Sequence, residues 1–95
     1  MASLDEPIRS AEWRPAAYVI LGADGEYLYK GACRDLKERL IDHFQGKSPR
    51  TKNRRPLSLV YFKYFGTYEE ALKHERYLKS GHGRAWLKRN IINDN

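Results

Sequence analysis

From Asp35 to Phe44 the inward positions recur at spacings of three and four, which constrains this stretch to a helix. The stripe so defined is Leu36, Arg39, Leu40, His43 and Phe44, with a guanidinium and an imidazole where a packed face would hold leucine. Just upstream, Tyr18 to Gly31 is rich in tyrosine and reads as a β-hairpin. Tyrosine, arginine and histidine converging on one spot suit the handling of a phosphate better than simple packing.

The chain has 95 residues, enough for one domain with one modest core. Two Trp, seven Tyr and three Phe argue against disorder except at the ends. Lys and Arg number 18 against 12 Asp and Glu, a surplus that favours a polyanionic partner. The plainer reading is that this balance only keeps a small protein soluble. Cys33 stands alone, which excludes a disulfide framework and a thiolate zinc site and suits a small buried filler. No apolar stretch approaches the roughly 20 residues of a membrane span. Residues 1–15 lack the apolar centre of a signal peptide, so a reducing cytoplasmic location is expected.

Residues 1–14 read as an extension, loose over about the first ten, with Trp13 a candidate to dock on the domain. Residues 15–92 read as the domain and 93–95 as a tail. Ala16 to Leu21 is a short apolar run, followed by the turn residues Gly22, Asp24 and Gly25 and a returning strand through Tyr27-Leu28-Tyr29 that Gly31 closes. Asp35 lies where a carboxylate suits a helix start, and Gly46 with Pro49 stops that helix. A basic loop holding Lys47, Arg50, Lys52, Arg54 and Arg55 leads to Pro56. Leu57 to Phe65 is dense in β-formers and reads as a third strand. Thr67 and Glu70 form a capping-box pattern for a helix from Tyr68 to about Lys79. Ser80-Gly81-His82-Gly83 reads as a break before a last helix from Arg84 to Ile92. The order β-β-α-β-α-α predicts an α/β fold with a small three-stranded mixed or antiparallel sheet flanked by helices.

The helix after Thr67 has a misfit of its own. Ala71, Leu72 and Leu78 define its apolar stripe, and Glu75 falls on it. A carboxylate there is costly unless a metal ion or an arginine from another element compensates it. The alternative is a salt bridge with Arg76 or Lys79 at the rim.

Together these segments resemble the GIY-YIG endonucleases, from Ala16 to about Arg89. Ala16-Ala17-Tyr18 is similar to the first signature tripeptide and Tyr29-Lys30-Gly31 to the second. Asp35-Leu36 with Lys37-Glu38-Arg39-Leu40 and His43 resembles the family's arginine-bearing helix. Gly46-Lys47, Thr51-Lys52 and Arg54-Arg55-Pro56 resemble the linker of the small stand-alone members. Glu70-Ala71-Leu72, His74-Glu75-Arg76 and Leu78-Lys79-Ser80-Gly81 resemble the stretch with the metal-binding glutamate. There are departures. Ala16-Ala17 replaces Gly-Ile, Lys30 stands where a β-branched residue is usual, and Cys33 where many relatives have threonine. Asn90 is the nearest counterpart of a late asparagine.

The resemblance implies hydrolysis of DNA phosphodiesters with one divalent metal, commonly Mg²⁺, with Mn²⁺ the alternative. Glu75 would anchor the metal, and Arg39 would grip non-bridging oxygens with its planar fork. Tyr18 and Tyr29 would orient or deprotonate the attacking water. His43, one turn beyond Arg39 and about 40° further round, would relay a proton from Tyr18 or be the base itself. Lys30, Lys47, Arg50, Lys52, Arg54 and Arg55 are the expected DNA contacts.

Each residue has a plainer alternative. The tyrosines would be ordinary strand aromatics, Arg39 a snorkelling side chain paired with Asp35 or Asp42, His43 a structural residue, and the basic loop a solvated turn. His74 reads as exposed and His82 as a loop residue. With no separate specificity domain expected, the partner would be single-stranded or branched DNA, bound by a monomer, with a dimer as the alternative. A binding module that keeps the fold without catalysis is the competing reading, and a small structural domain the third.

Overall fold

In the computed structural model, which describes residues 4–92, the helices flank one antiparallel sheet. Strand β1 (Ala16–Leu21) is central, paired antiparallel with β2 (Leu28–Cys33) and β3 (Ser58–Tyr64), so the sheet order is β2-β1-β3. An unbroken apolar run rather than an alternating one makes β1, because both its faces are covered and all six residues are buried. Ala16, Tyr18 and Ile20 enter a core with Leu4, Cys33, Leu36, Leu40 and Leu57. Ala17 and Val19 enter a second core with Leu78 and Leu87. Helices α1 (Asp5–Ser10) and α2 (Leu36–Gln45) cover the first face, α3 (Tyr68–Lys79) and α4 (Gly81–Asn90) the second.

Local chemistry sets the helix ends. The Asp35 side chain accepts from the Glu38 amide at 3.2 Å, and Gly46 at φ 80° supplies the left-handed residue that ends α2. Thr67 and Glu70 form the full capping box of α3.

Several expectations are corrected. The first ten residues are not loose throughout: residues 1–3 lie outside the described part, but Asp5–Ser10 is helical, with acids in its first turn and Arg9 in its last. Leu4 anchors it at 1 % exposure, a local signal too short for periodicity to reveal. Trp13 does not dock but stands 64 % exposed, near the Lys37 ammonium. The second strand does not end at Gly31 but runs to Cys33. Ser80 to Gly83 is not a broad break: Ser80 alone separates α3 from α4, capping α4 by accepting from the Gly83 amide at 3.2 Å. Gly83 is there for close approach, since a Cβ would collide with the Tyr77 carbonyl. His82 accordingly sits in the first turn of α4. The proposed tail, 93–95, lies outside the described residues.

Candidate active site

The register of the hairpin places Tyr18 opposite Gly31 and Ile20 opposite Tyr29. A Cβ at position 31 would lie 2.7 Å from Tyr18 Cζ and its hydroxyl and 2.9 Å from Tyr29 Cε2. Glycine is therefore needed for the Tyr18 phenol to cross β2. Beyond it the phenol meets α2, where His43 Nε2 lies 2.9 Å from the Tyr18 hydroxyl. Ring centroids are 6.2 Å apart for Tyr18 and Tyr29, 5.5 Å for Tyr18 and His43, and 5.4 Å for Tyr29 and His43. The sheet and α2 thus bring Tyr18, Tyr29 and His43 into one triangle. Tyr18 and His43 are buried and Tyr29 is half-buried.

His43 Nδ1 lies 2.7 Å from the hydroxyl of Thr51, which is fully buried in the turn preceding a single 3₁₀ turn, Lys52–Arg54. Sequence reasoning gave Thr51 no role. It lies in an aperiodic, charge-rich loop, where nothing in the pattern distinguishes a buried hydroxyl from a solvated one. Tyr18, His43 and Thr51 form a continuous buried chain, and every buried side-chain nitrogen and oxygen among the described residues has a partner.

Burial lowers the His43 pKa to about 4, with the Arg39 charge adding to the effect and Asp42 opposing it. The imidazole is therefore neutral at pH 7, donating through one nitrogen and accepting through the other. Either Tyr18 donates to Nε2 while Nδ1–H donates to Thr51, or Thr51 donates to Nδ1 while Nε2–H donates to Tyr18. Burial also pushes the Tyr18 phenol far above its ordinary value, helped by Tyr29 and Cys33 and opposed by Arg39, so it stays protonated. Cys33 is the expected buried filler, its thiol pushed up to about 11 by burial.

The buried face of α2 is narrower than the expected five-residue inward stripe. Leu36, Leu40 and His43 are buried, while Arg39 is exposed and Phe44 is 48 % exposed. Steps of four and three keep the first three aligned, and Arg39 and Phe44 fall on opposite flanks. Arg39 forms no ion pair with Asp35 or Asp42 but lines a cavity of about 200 Å³ with Cys33, Asp35, Glu38, Asp42 and Tyr68. From there its charge reaches both Tyr18 and His43.

Glu75 is not drawn into the triangle. On α3, its side chain is 17 % exposed and pairs with Lys79 at 3.1 Å, the rim salt bridge that the pattern offered as an alternative. Lys30 projects from the opposite side of β2 to Tyr29 and Gly31. In the basic loop, Lys47, Arg50 and Lys52 are exposed. Arg54 is also exposed but lies over the Tyr27 ring at 4.1 Å, with Asp24 at 3.9 Å. Arg55 donates to the Lys52 and Phe44 carbonyls. Asn90, exposed at the end of α4, donates to the Trp86 carbonyl. His74 is not exposed as expected but half-buried, its Nε2 2.8 Å from the Tyr61 hydroxyl.

Among the described residues no group of three or more His, Cys, Asp or Glu could hold a metal ion. A single hard carboxylate fits Mg²⁺ all the same, since that ion keeps several waters and takes its other oxygens from substrate phosphates. No helix of the described residues is long and apolar enough to cross a membrane.

The profile of the GIY-YIG catalytic domain matches residues 15–90 of the chain. A UPF0213 protein of Staphylococcus saprophyticus is 42 % identical over 64 residues, covering 66 % of this chain and 77 % of its own length. One from Bacillus pumilus is 42 % identical over 64 residues, covering 66 % of this chain and 64 % of its own. One from Staphylococcus aureus is 39 % identical, again over 66 % of this chain and 77 % of its own. No solved structure gives a significant match.

Proposed function

The chain belongs to the GIY-YIG family of nuclease domains, and on that premise we propose that it is a metal-dependent endonuclease cutting single-stranded or structured DNA as a monomer, one strand at a time. The buried chain from Tyr18 through His43 to Thr51, beside the half-buried Tyr29 and the exposed Arg39, is the observation that supports this reading most directly.

Arg39 grips the non-bridging oxygens of the scissile phosphate with two parallel N–H donors. Tyr29, the more accessible phenol, orients the attacking water. Tyr18 takes the proton of that water while its own hydroxyl proton passes to His43 Nε2, because a free phenolate at so raised a pKa would not form. His43 does not itself meet the water, because its two nitrogens face the Tyr18 and Thr51 hydroxyls. Thr51 accepts from Nδ1–H and so fixes the tautomer whose Nε2 accepts from the Tyr18 hydroxyl. The Arg39 charge disfavours an imidazolium in the free protein, and a phosphate docked on Arg39 offsets it. Substrate binding therefore makes His43 a better proton acceptor. Glu75 would hold Mg²⁺ or Mn²⁺, which when bound supplies positive charge where negative charge grows on the phosphate. The oxygen of water forms the new bond to phosphorus as the ester oxygen leaves with its bonding electron pair and takes a proton from solvent.

The test is incubation of the protein with Mg²⁺ and labelled single-stranded, duplex and branched DNA, alongside Tyr18→Phe and Glu75→Gln. Cleavage of the single-stranded or branched form, lost in both variants, is expected. No product from any of the three overturns the nuclease reading. The Glu75–Lys79 pair favours one alternative, a DNA-binding module without turnover. Such a module would keep its affinity in EDTA and give no product at long times.

A further inference from the structure

Three cations gather on the other side of β2 from the tyrosines, around a hollow of about 230 Å³ that Leu28, Lys30, Arg84, Leu87, Lys88 and Ile92 line. Its floor is apolar, and among the described residues no acid lines it and none of the three cations is in an ion pair. Arg84 and Lys88 stand one turn apart on α4, a like-charge spacing that weakens a helix rather than supporting it. One guanidinium N–H of Arg84 is fixed on the Lys79 carbonyl at 2.9 Å, which orients the rest of the planar fork. Lys30 is half-buried, and its pKa is lowered by burial and then by the charges of Arg84 and Lys79. Like charges held together without a counter-charge cost stability, and an anion removes that cost.

We propose that Lys30, Arg84 and Lys88 bind a phosphate of the DNA that flanks the scissile one. Edge strand β2 connects the two sites: Tyr29 and Lys30 are consecutive, rooted about 3.3 Å apart, with side chains on opposite faces. A DNA backbone crossing that edge places one phosphate at Tyr29 and Arg39 and a neighbouring one in the cationic hollow. The hollow has no hydrogen-bonding side chain other than cations, so it positions the strand without reading its sequence. This site rests on the nuclease reading, since it serves the same substrate.

Fluorescence anisotropy of a labelled single-stranded oligonucleotide in EDTA, over a series of salt concentrations, tests it. Lys88→Ala and Arg84→Ala should each lower affinity several-fold and flatten the plot of log affinity against log salt by about 0.7. Arg84→Lys, which keeps the charge, should restore most of the slope. Arg89→Ala, on the same helix but outside the hollow, should change neither quantity by as much. With Mg²⁺ present, the two alanine variants should raise KM and leave kcat unchanged. Thermal melts check that each variant folds, and Lys88→Ala is the decisive one because no hydrogen bond or ion pair holds that side chain among the described residues. An unchanged salt slope in folded Lys88→Ala, from a chain that still binds and cuts DNA, overturns this site alone. No DNA binding by the unaltered chain overturns the nuclease reading and this site with it.

Discussion

At the scale of the residue, His43 ties stability to chemistry. Its imidazole is fully buried between two hydroxyls and is neutral in the folded chain, with its pKa lowered to about 4. The unfolded chain regains an ordinary value near 6.5, so between these two values it binds the proton that the folded chain refuses. Stability should therefore be complete above about pH 6.5 and fall towards pH 4, by up to about 3 kcal/mol from this residue. Urea unfolding at pH 7.5 and 4.5 checks this, with His43→Gln expected to lose less across the interval; an equal loss would place the sensitivity elsewhere. Thr51 makes a second prediction. Thr51→Val removes the partner of Nδ1, at a stability cost of about 1–3 kcal/mol, and should lower kcat and shift its pH profile while leaving DNA affinity intact. Thr51→Ser should restore both. His43 stands out in sequence because an imidazole contradicts a packed stripe, and Tyr18 because Ala16-Ala17-Tyr18 is similar to the family's first tripeptide. Thr51 does not, because a loop has no period against which a buried residue stands out.

At the scale of the element, glycines separate turn signals from packing signals. Gly31 and Gly83 read in sequence as an ending and a break, yet one lies within a strand and the other within a helix. Each makes room for a neighbour, Tyr18 over β2 in one case and the end of α3 in the other. Gly81, two residues before Gly83, has nothing within 4 Å of a built Cβ. Gly81→Ala should therefore be neutral or stabilise by about 0.5–1 kcal/mol, since alanine suits a helix better than glycine. Gly83→Ala should destabilise by about 1–3 kcal/mol through overpacking. Thermal melts followed by circular dichroism distinguish them, and melting shifts of the same sign would refute the packing account of Gly83. The other elements were readable because caps and turn residues are local: the Thr67–Glu70 box set the start of α3 to the residue. Helix α1 escaped because six residues are too few for a period, and its place depends on Leu4 meeting a distant core.

At the scale of the molecule, the net charge of +6 does not act uniformly. The basic loop reads in sequence as one run of five cations, but the fold divides it. Arg54 is stacked on Tyr27 near Asp24, and Arg55 is bonded to two carbonyls of the loop and α2. Lys47, Arg50 and Lys52 are exposed, and their side chains hold no hydrogen bond or ion pair among the described residues. Sequence alone cannot make this division, since a cation committed to the fold and a free one are written with the same letters. The consequence is measurable. Arg54→Ala and Arg55→Ala should each cost about 1 kcal/mol of stability, through a lost cation–π contact in the first and lost hydrogen bonds in the second. The triple change Lys47→Ala, Arg50→Ala, Lys52→Ala should leave the melting temperature nearly unchanged, because among the described residues those side chains make no hydrogen bond or ion pair. It should flatten the salt dependence of single-stranded DNA binding by about 2 in total, at about 0.7 per cation. Anisotropy titrations paired with melts read both quantities on the same samples. A triple variant with an unaltered salt slope would make the loop a solvated turn, and would leave the cations around β2 and Arg39 as the route along which DNA is held.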